Sequence, residues 1–273
     1  MDVWRKYNGA ILPTLPPHVE VKSSSYEIKK LIKYKSVYFA RWTSDFDSKN
    51  ITEFWFIIND SQLDIDSYSA NTRSKIRRGL KKIDVKIITK NEILINGFDV
   101  YKASFDRYRS FTQPDSKDVF QSEITKLDGD REFWGIYLKG SDKLIGYSQN
   151  KISHNCCEYD EIRFHPDFLK LYSSYVLFYK MNQFYLNEKN FKYVNDGARS
   201  ISHNTNIQQF LIEKFKFRKA YCKLHVINLR GLSLVIKFLY PFKGIIKRVN
   251  LNFFLKLSVI LEQEKIVRSF EKR

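Results

Sequence analysis

The sequence predicts an α/β fold with a mixed central sheet flanked by helices. Three observations carry that expectation. Stretches that alternate apolar and polar residues, as strands do, interleave with stretches whose apolar residues recur at helical spacing. From Asp84 onward the order reads strand, two helices, three strands, helix, strand, helix, strand. The chain of 273 residues is 43% hydrophobic and 16% aromatic, enough apolar material for a sizeable core.

Taken in order, residues 1–20 read as an extended lead-in broken by Pro13, Pro16 and Pro17. SSSYEIKKLIKY suggests a short helix capped by a serine. SVYFARW and TEFWFIIND alternate as strands. Next comes SANTRSKIRRGLKK, Ser69 to Lys82, with six cations in fourteen residues and no acid. Ser69 or Asn71 can cap it, and Ile76, Leu80 and Ile83 make a narrow apolar stripe, so it reads as a helix docked by one edge. Gly79 weakens that helix.

DVKIITK is a strand, and NEILINGFDVYKASFDRYRSF and DSKDVFQSEITKL are helices. EFWGIYL, KLIGYSQNKI and CCEYDEIRF form a three-stranded meander with the turn KGSD. FLKLYSSYVLFYKMNQFYLNEKN is a helix, FKYVND a strand, NTNIQQFLIEKF a helix and FRKAYCKLHVINL a closing strand. The expected organisation is an N-terminal α/β extension over 1–83, a main domain over 84–228, and a basic amphipathic helical tail over 229–273.

The formal charge of +17 points to an anionic partner: a phosphate-bearing cofactor, a nucleic acid or an acidic membrane surface. No apolar run reaches transmembrane length and no signal peptide is legible, so the expected location is the cytoplasm, with the tail resting at the inner face of the membrane as one alternative. In that tail large apolar residues alternate with lysines, and Pro241 should break any helix. An interfacial segment and a packed helical appendage are equal readings of it. Cys156, Cys157 and Cys222 fit a reducing compartment and lack metal-ligand spacing, so no metal is expected. Cys156 and Cys157, as neighbours on a strand, should be one buried and one surface thiol.

The element order resembles that of the GNAT acyltransferases. NTNIQQFLIEKFKFRKA looks like the GNAT helix-then-strand signature, with Phe217 at its Phe and Lys216 where the Gly usually stands. FHPDFLKLYSSYVLFY looks like the turn that cradles the pyrophosphate of coenzyme A in that superfamily. This turn holds Leu171, Tyr172, Ser173, Ser174 and Tyr175 in place of the usual glycines. The chain also resembles the FemAB-like branch. There a basic motif like NTRSKIRRGLKK precedes the transferase domain, and an acid and a Gly follow a strand, as in YVNDGARSISHNT. Together the resemblances cover most of residues 60–228. They imply a cytoplasmic acyltransferase with acyl-CoA as co-substrate, of the type found in cell-envelope and surface-polysaccharide loci.

Acyl transfer to an amine needs a base, an oxyanion donor and an acid for the leaving group. The resemblance assigns the oxyanion donor to a backbone N–H of CCEYDEIRF. That strand carries Glu158 and Asp160 on one face and Glu161 on the other, and a carboxylate on the cleft side is a candidate base; solvent-facing acids are the plain alternative. The alignment on Phe217 puts Ile212 where GNAT enzymes often keep a Tyr acid, leaving Tyr172 or Tyr175 to replace it. In FemAB-like transferases, whose donor is an aminoacyl-tRNA ester, that acid matters less.

DGARSISH is the favoured constellation. Asp196 and His203 are read as a carboxylate-oriented base, and Arg199 and Ser200 as a grip on the acceptor. Helix capping with an Asp196–Arg199 ion pair is the structural alternative. Arg73, Arg77 and Arg78 are candidate ligands for phosphate, tRNA or anionic lipid. Three functions compete: an acyl-CoA-dependent N-acyltransferase acting on an amino sugar or lipid-linked precursor, a tRNA-dependent aminoacyltransferase, and a non-catalytic membrane-associated module.

Overall fold

The computed structural model describes residues 3–107, 113–127, 129–201, 206–247 and 252–271. They form two compact units. The first comprises 1–57, 198–206 and 219–273, and the second 58–197 and 207–218. The basic helix, assigned by sequence to the N-terminal extension, lies in the second unit.

The first unit opens with a hairpin the sequence reading missed. Strands β1 (Trp4–Tyr7) and β2 (Ala10–Pro13) pair antiparallel around Asn8 and Gly9, both at positive φ. An Asn-Gly pair between short strands is the usual signal for this turn, and it was present in the sequence. Helix α1 (Ser25–Tyr34) begins in a capping box: Ser24 accepts from the Glu27 N–H, and the Glu27 carboxylate accepts from the Ser24 N–H. Its Ile28 and Ile32 pack with Trp4, Ile11 and Val37. Strand β3 (Phe39–Ser48) pairs parallel with β2 and antiparallel with the late strand β10 (Arg218–Asn228). Strand β4 (Trp55–Asn59) contains the boundary between the units.

The second unit holds the sheet order β9-β8-β7-β6-β5. Its strands are β5 (Ile83–Ile88), β6 (Arg131–Leu138), β7 (Leu144–Ser153), β8 (Cys156–Phe164) and β9 (Tyr193–Ala198). β5 to β8 are antiparallel and β9 joins β8 in parallel, so the sheet is mixed. Helices α3 (Lys90–Ser104) and α4 (Lys117–Thr125) bury one face. There Ile93, Val100, Tyr101 and Phe120 meet Phe133 and Tyr147.

The opposite face meets α5 (Ser173–Asn182) and the single π-helical turn Gln183–Glu188 that continues it. The long helix expected there is split. Residues Pro166–Leu171 are 3-10, and Tyr172 takes a left-handed φ of 65° before α5 starts. Because both faces of β8 are covered, Cys156 and Cys157 are both buried, which corrects the expectation of one surface thiol. Burial pushes Cys156 up to about 11, so it is a protonated thiol at neutral pH.

The basic stretch is helix α2 (Ala70–Leu80), capped by Ser69. Gly79 is its point of closest approach to α5: an added Cβ would lie 2.5 Å from Val176 Cγ2 and 3.2 Å from the Leu171 carbonyl oxygen. Helix α6 (Asn206–Phe215) ends at Lys216, whose φ of 61° is left-handed. That conformation explains why the GNAT signature usually has glycine here.

Helices α7 (Arg230–Leu239), α8 (Lys243–Ile246) and α9 (Asn252–Glu271) complete the first unit, with a 3-10 turn at Tyr240–Phe242 where Pro241 interrupts the helix.

Two stability measurements check these assignments. Gly79→Ala should lower unfolding free energy by about 1–3 kcal/mol in urea titration, despite the roughly 1 kcal/mol gain in helix propensity, because overpacking against Val176 dominates. Lys216→Gly should raise it by up to about 1 kcal/mol, since glycine removes the left-handed strain.

Candidate functional site

Two features of the second unit carry chemistry. The first is the fork between β8 and β9. The parallel strands pair Cys156 with Tyr193, Cys157 with Val194 and Glu158 with Asn195. β8 runs on to Phe164 and β9 to Ala198 beyond these rows, so the two strands part. On the other side of β8, Glu161 faces Gln149 while Tyr159 faces Asn150, which leaves Asp160 as the extra residue of a β-bulge.

The bulge changes the expected facing. Lys151 faces Glu158 and Gln149 faces Glu161, so Glu161 shares the face of Glu158 and does not lie opposite it. Asp160 is ion-paired with Arg131, and Glu161 accepts from Arg163 Nε at 2.7 Å. Both charges are thereby neutralised locally.

Asp196 is placed at the fork, one residue beyond the last paired row. Burial first, and then the nearby Glu158 charge, push its carboxyl up to about 8. The Asn195 side chain accepts from the Gly197 N–H at 2.7 Å, and Gly197, at φ 85°, turns the chain with open space around its Cα. The expected partner His203, together with Ser202 and Asn204, lies outside the described residues.

Arg199 and Ser200 fall in the first unit. Arg199 donates to the Glu53 carboxylate at 3.3 Å, lies 3.9 Å from Glu262, and sits over the Trp55 ring at 4.9 Å. Its ion-pair partners are Glu53 and Glu262, not Asp196 as the structural alternative had it. These contacts tie its guanidinium into the unit, where the sequence reading had made it a grip on the acceptor.

The second feature is the start of α5. The first N–H groups of a helix have no intrahelical acceptor, and Tyr172 provides no side-chain cap. Ser173 is 0% exposed, and its hydroxyl has no hydrogen-bond partner among the described residues. Ser174 follows it in the first turn.

Helix α2 brings its cations here. Arg78 lies over the Tyr172 ring at 5.0 Å. Lys75 lies over the Tyr175 ring at 5.0 Å and donates to its hydroxyl at 3.2 Å. Tyr175 in turn stacks edge-on against Phe210 of α6 at 5.1 Å. Arg73, Arg77 and Arg78, with Ala70, Ser74 and Lys81, line an open groove of about 340 Å³. Asp66 lies 3.3 Å from Arg77 and 3.9 Å from Arg73, so that end of the groove is partly neutralised.

The tertiary structure thus joins two stretches the sequence kept apart, SSY and RSKIRRG. It also reveals Lys75 at Tyr175, which sequence reasoning passed over because nothing in a one-dimensional charge run says which cation meets an aromatic ring. Among the described residues no group of His, Cys, Asp or Glu is placed to hold a metal ion.

No protein-family model matches the sequence, and no curated protein matches it. Solved structures match in fold. FemX aligns with a TM-score of 0.59 at 11% identity, covering 84% of this chain and 84% of that one. The C-terminal domain of a putative lysylphosphatidylglycerol synthetase from Agrobacterium fabrum aligns with a TM-score of 0.50 at 11% identity, covering 86% of this chain and 82% of that one. The fold is accordingly GNAT-like and similar to that of FemX.

The raised Asp196 has a thermodynamic consequence. Its folded pKa of about 8 lies above the ordinary 3.8, so the folded chain holds this proton more tightly than the unfolded one. The stabilisation is complete below pH 4 or so and is lost as pH rises through about 8, with a slope approaching about 1.4 kcal/mol per pH unit. Urea titrations between these limits should show that decline in the native protein and a flatter profile in Asp196→Asn.

Proposed function

We propose that this protein is an N-acyltransferase that moves an acyl group from acyl-CoA to an amine, with Asp196 as the base. The amine-bearing acceptor is an amino sugar or lipid-linked precursor of cell-envelope polysaccharide. The observation that supports this most directly is the carboxyl at the strand fork held up to about 8, the range in which a base can take a proton from an ammonium group at physiological pH.

In this reading the donor lies in the fork with its pyrophosphate at the start of α5. There the free N–H groups and the Arg78 and Lys75 cations supply anion-binding chemistry. Asp196 takes the ammonium proton, and the neutral amine attacks the acyl carbonyl carbon. A carbon–nitrogen bond forms and the oxyanion is held by a backbone N–H of β8. The carbon–sulfur bond then breaks, and the thiolate leaves as the thiol with the second proton released by the attacking nitrogen.

One observation favours a second donor. The open groove lined by Arg73, Arg77, Arg78 and Lys81 suits a phosphate backbone, as in aminoacyl transfer from tRNA.

Thermal-shift titration with acetyl-CoA and longer acyl-CoAs, with ADP as control, separates these. A dose-dependent rise with acyl-CoA and none with ADP is expected. If no acyl-CoA shifts the melting temperature while charged tRNA binds in a salt-sensitive manner, lost in the Arg73→Gln/Arg77→Gln/Arg78→Gln variant, the tRNA donor replaces it. With the acceptor found, Asp196→Asn should lower kcat by about a hundredfold to ten-thousandfold. The native rate should rise with pH through about 8, as the base loses its proton.

A further inference from the structure

The C-terminal helices present an apolar face that the rest of the first unit leaves uncovered. Leu234 is 70% exposed, Phe238 73% and Ile245 68%, with Phe242 also exposed. Their spacing, four, four and three residues, keeps them on one side of the near-continuous helical run from α7 through the Pro241 turn to α8. Phe238 and Phe242 adjoin, with ring centroids 6.4 Å apart.

The opposite side of the same run is fully used. Ile236 and Ile246 are buried against Leu257 and Leu261 of α9. Tyr240 is clasped between Lys243, at 4.3 Å, and Arg268 of α9, at 3.9 Å. The run is therefore fixed in place with its apolar face outward.

Along this stretch of chain the charge is of one sign. Between Leu229 and Leu261 the sequence contains no Asp or Glu. Arg230, Lys237 and Lys247 are exposed around the apolar stripe. No helix among the described residues is long and apolar enough to cross a membrane.

From this geometry we infer that the α7–α8 face docks on an anionic lipid surface, lying in the headgroup plane with Leu234, Phe238, Phe242 and Ile245 inserted. Charge selects lipid over a second copy of this chain. A self-interface would bring two identical sets of exposed cations together, whereas anionic headgroups neutralise them as the apolar side chains leave water. The inference stands on this face alone and is independent of the transfer chemistry proposed above.

Co-sedimentation of the full chain with mixed phosphatidylcholine/phosphatidylglycerol vesicles tests it, with pure phosphatidylcholine vesicles as the comparison. Binding to the mixed vesicles should exceed binding to the neutral ones by about tenfold or more and weaken with added salt. Leu234→Ser/Phe238→Ser/Phe242→Ser should lose that binding by a similar factor while keeping its thermal unfolding midpoint, since these side chains are exposed. A Phe238→Trp variant should show blue-shifted emission on the mixed vesicles, the signature of insertion rather than of charge adhesion.

Vesicle binding that survives the triple substitution, or an unshifted tryptophan, overturns the inference. So does a dimer in sedimentation velocity that the same substitutions dissolve, which would assign the face to a second copy.

Discussion

The buried phenol of Tyr185 is the contact on which the second unit depends. It accepts from Trp134 Nε1 at 2.8 Å and Asn150 Nδ2 at 3.1 Å, and donates to Glu132 at 2.8 Å. A buried hydroxyl with both roles filled gains what a half-satisfied one would lose, on the order of 1–3 kcal/mol. The π turn at Gln183–Glu188 is the irregularity that carries Tyr185. With Met181 against Asn150 and Tyr159 bonded to Asn182, the C-terminal end of α5 is tied to β6, β7 and β8. The other end of α5 is set by Gly79 of α2 against Val176. A helix held at both ends keeps its uncapped first turn in one place, which an anion-binding turn requires.

The fork of β8 and β9 is a different kind of device. Parallel strands that pair for three rows and then separate leave polar backbone and side chains without ladder partners. Such groups either meet a ligand or carry an energetic cost. Asp196 records that cost in its raised pKa, because burial penalises the charged form and Glu158 adds repulsion. Asp160 and Glu161, on the bulge of β8, are ion-paired with Arg131 and Arg163. The carboxyl at the fork carries the perturbation.

Cations in this chain divide by what they touch. Arg199 and Arg218 are bound to carboxylates, Glu53 and Glu262 for the first and Asp60 for the second, and act as clamps. Arg78 and Lys75 sit on aromatic rings beside the start of α5, where an anion can still approach. Arg230, Lys237 and Lys247 surround an apolar stripe. The net charge of +17 pooled these three populations, and only their surroundings separate them.

Local chemistry determined much of this protein from sequence alone. Alternation and helical spacing marked every strand from β5 to β10 and the helices between them, because patterning is set by which side of an element faces a core. A serine before α1, and Ser69 or Asn71 before α2, were legible as caps, and the structure uses Ser24 and Ser69. What tertiary structure alone decided depends on contacts distant in sequence. The bulge at Asp160 is a mismatch between two strands and moved Glu161 to another face. Covering helices on both faces of β8 buried both cysteines. The meeting of α2 with α5 placed Lys75 and Arg78 at the SSY turn over about a hundred residues of intervening chain. The physical reason is common to all three: a side chain's role depends on its neighbours in space, whereas periodicity reports only its neighbours along the chain.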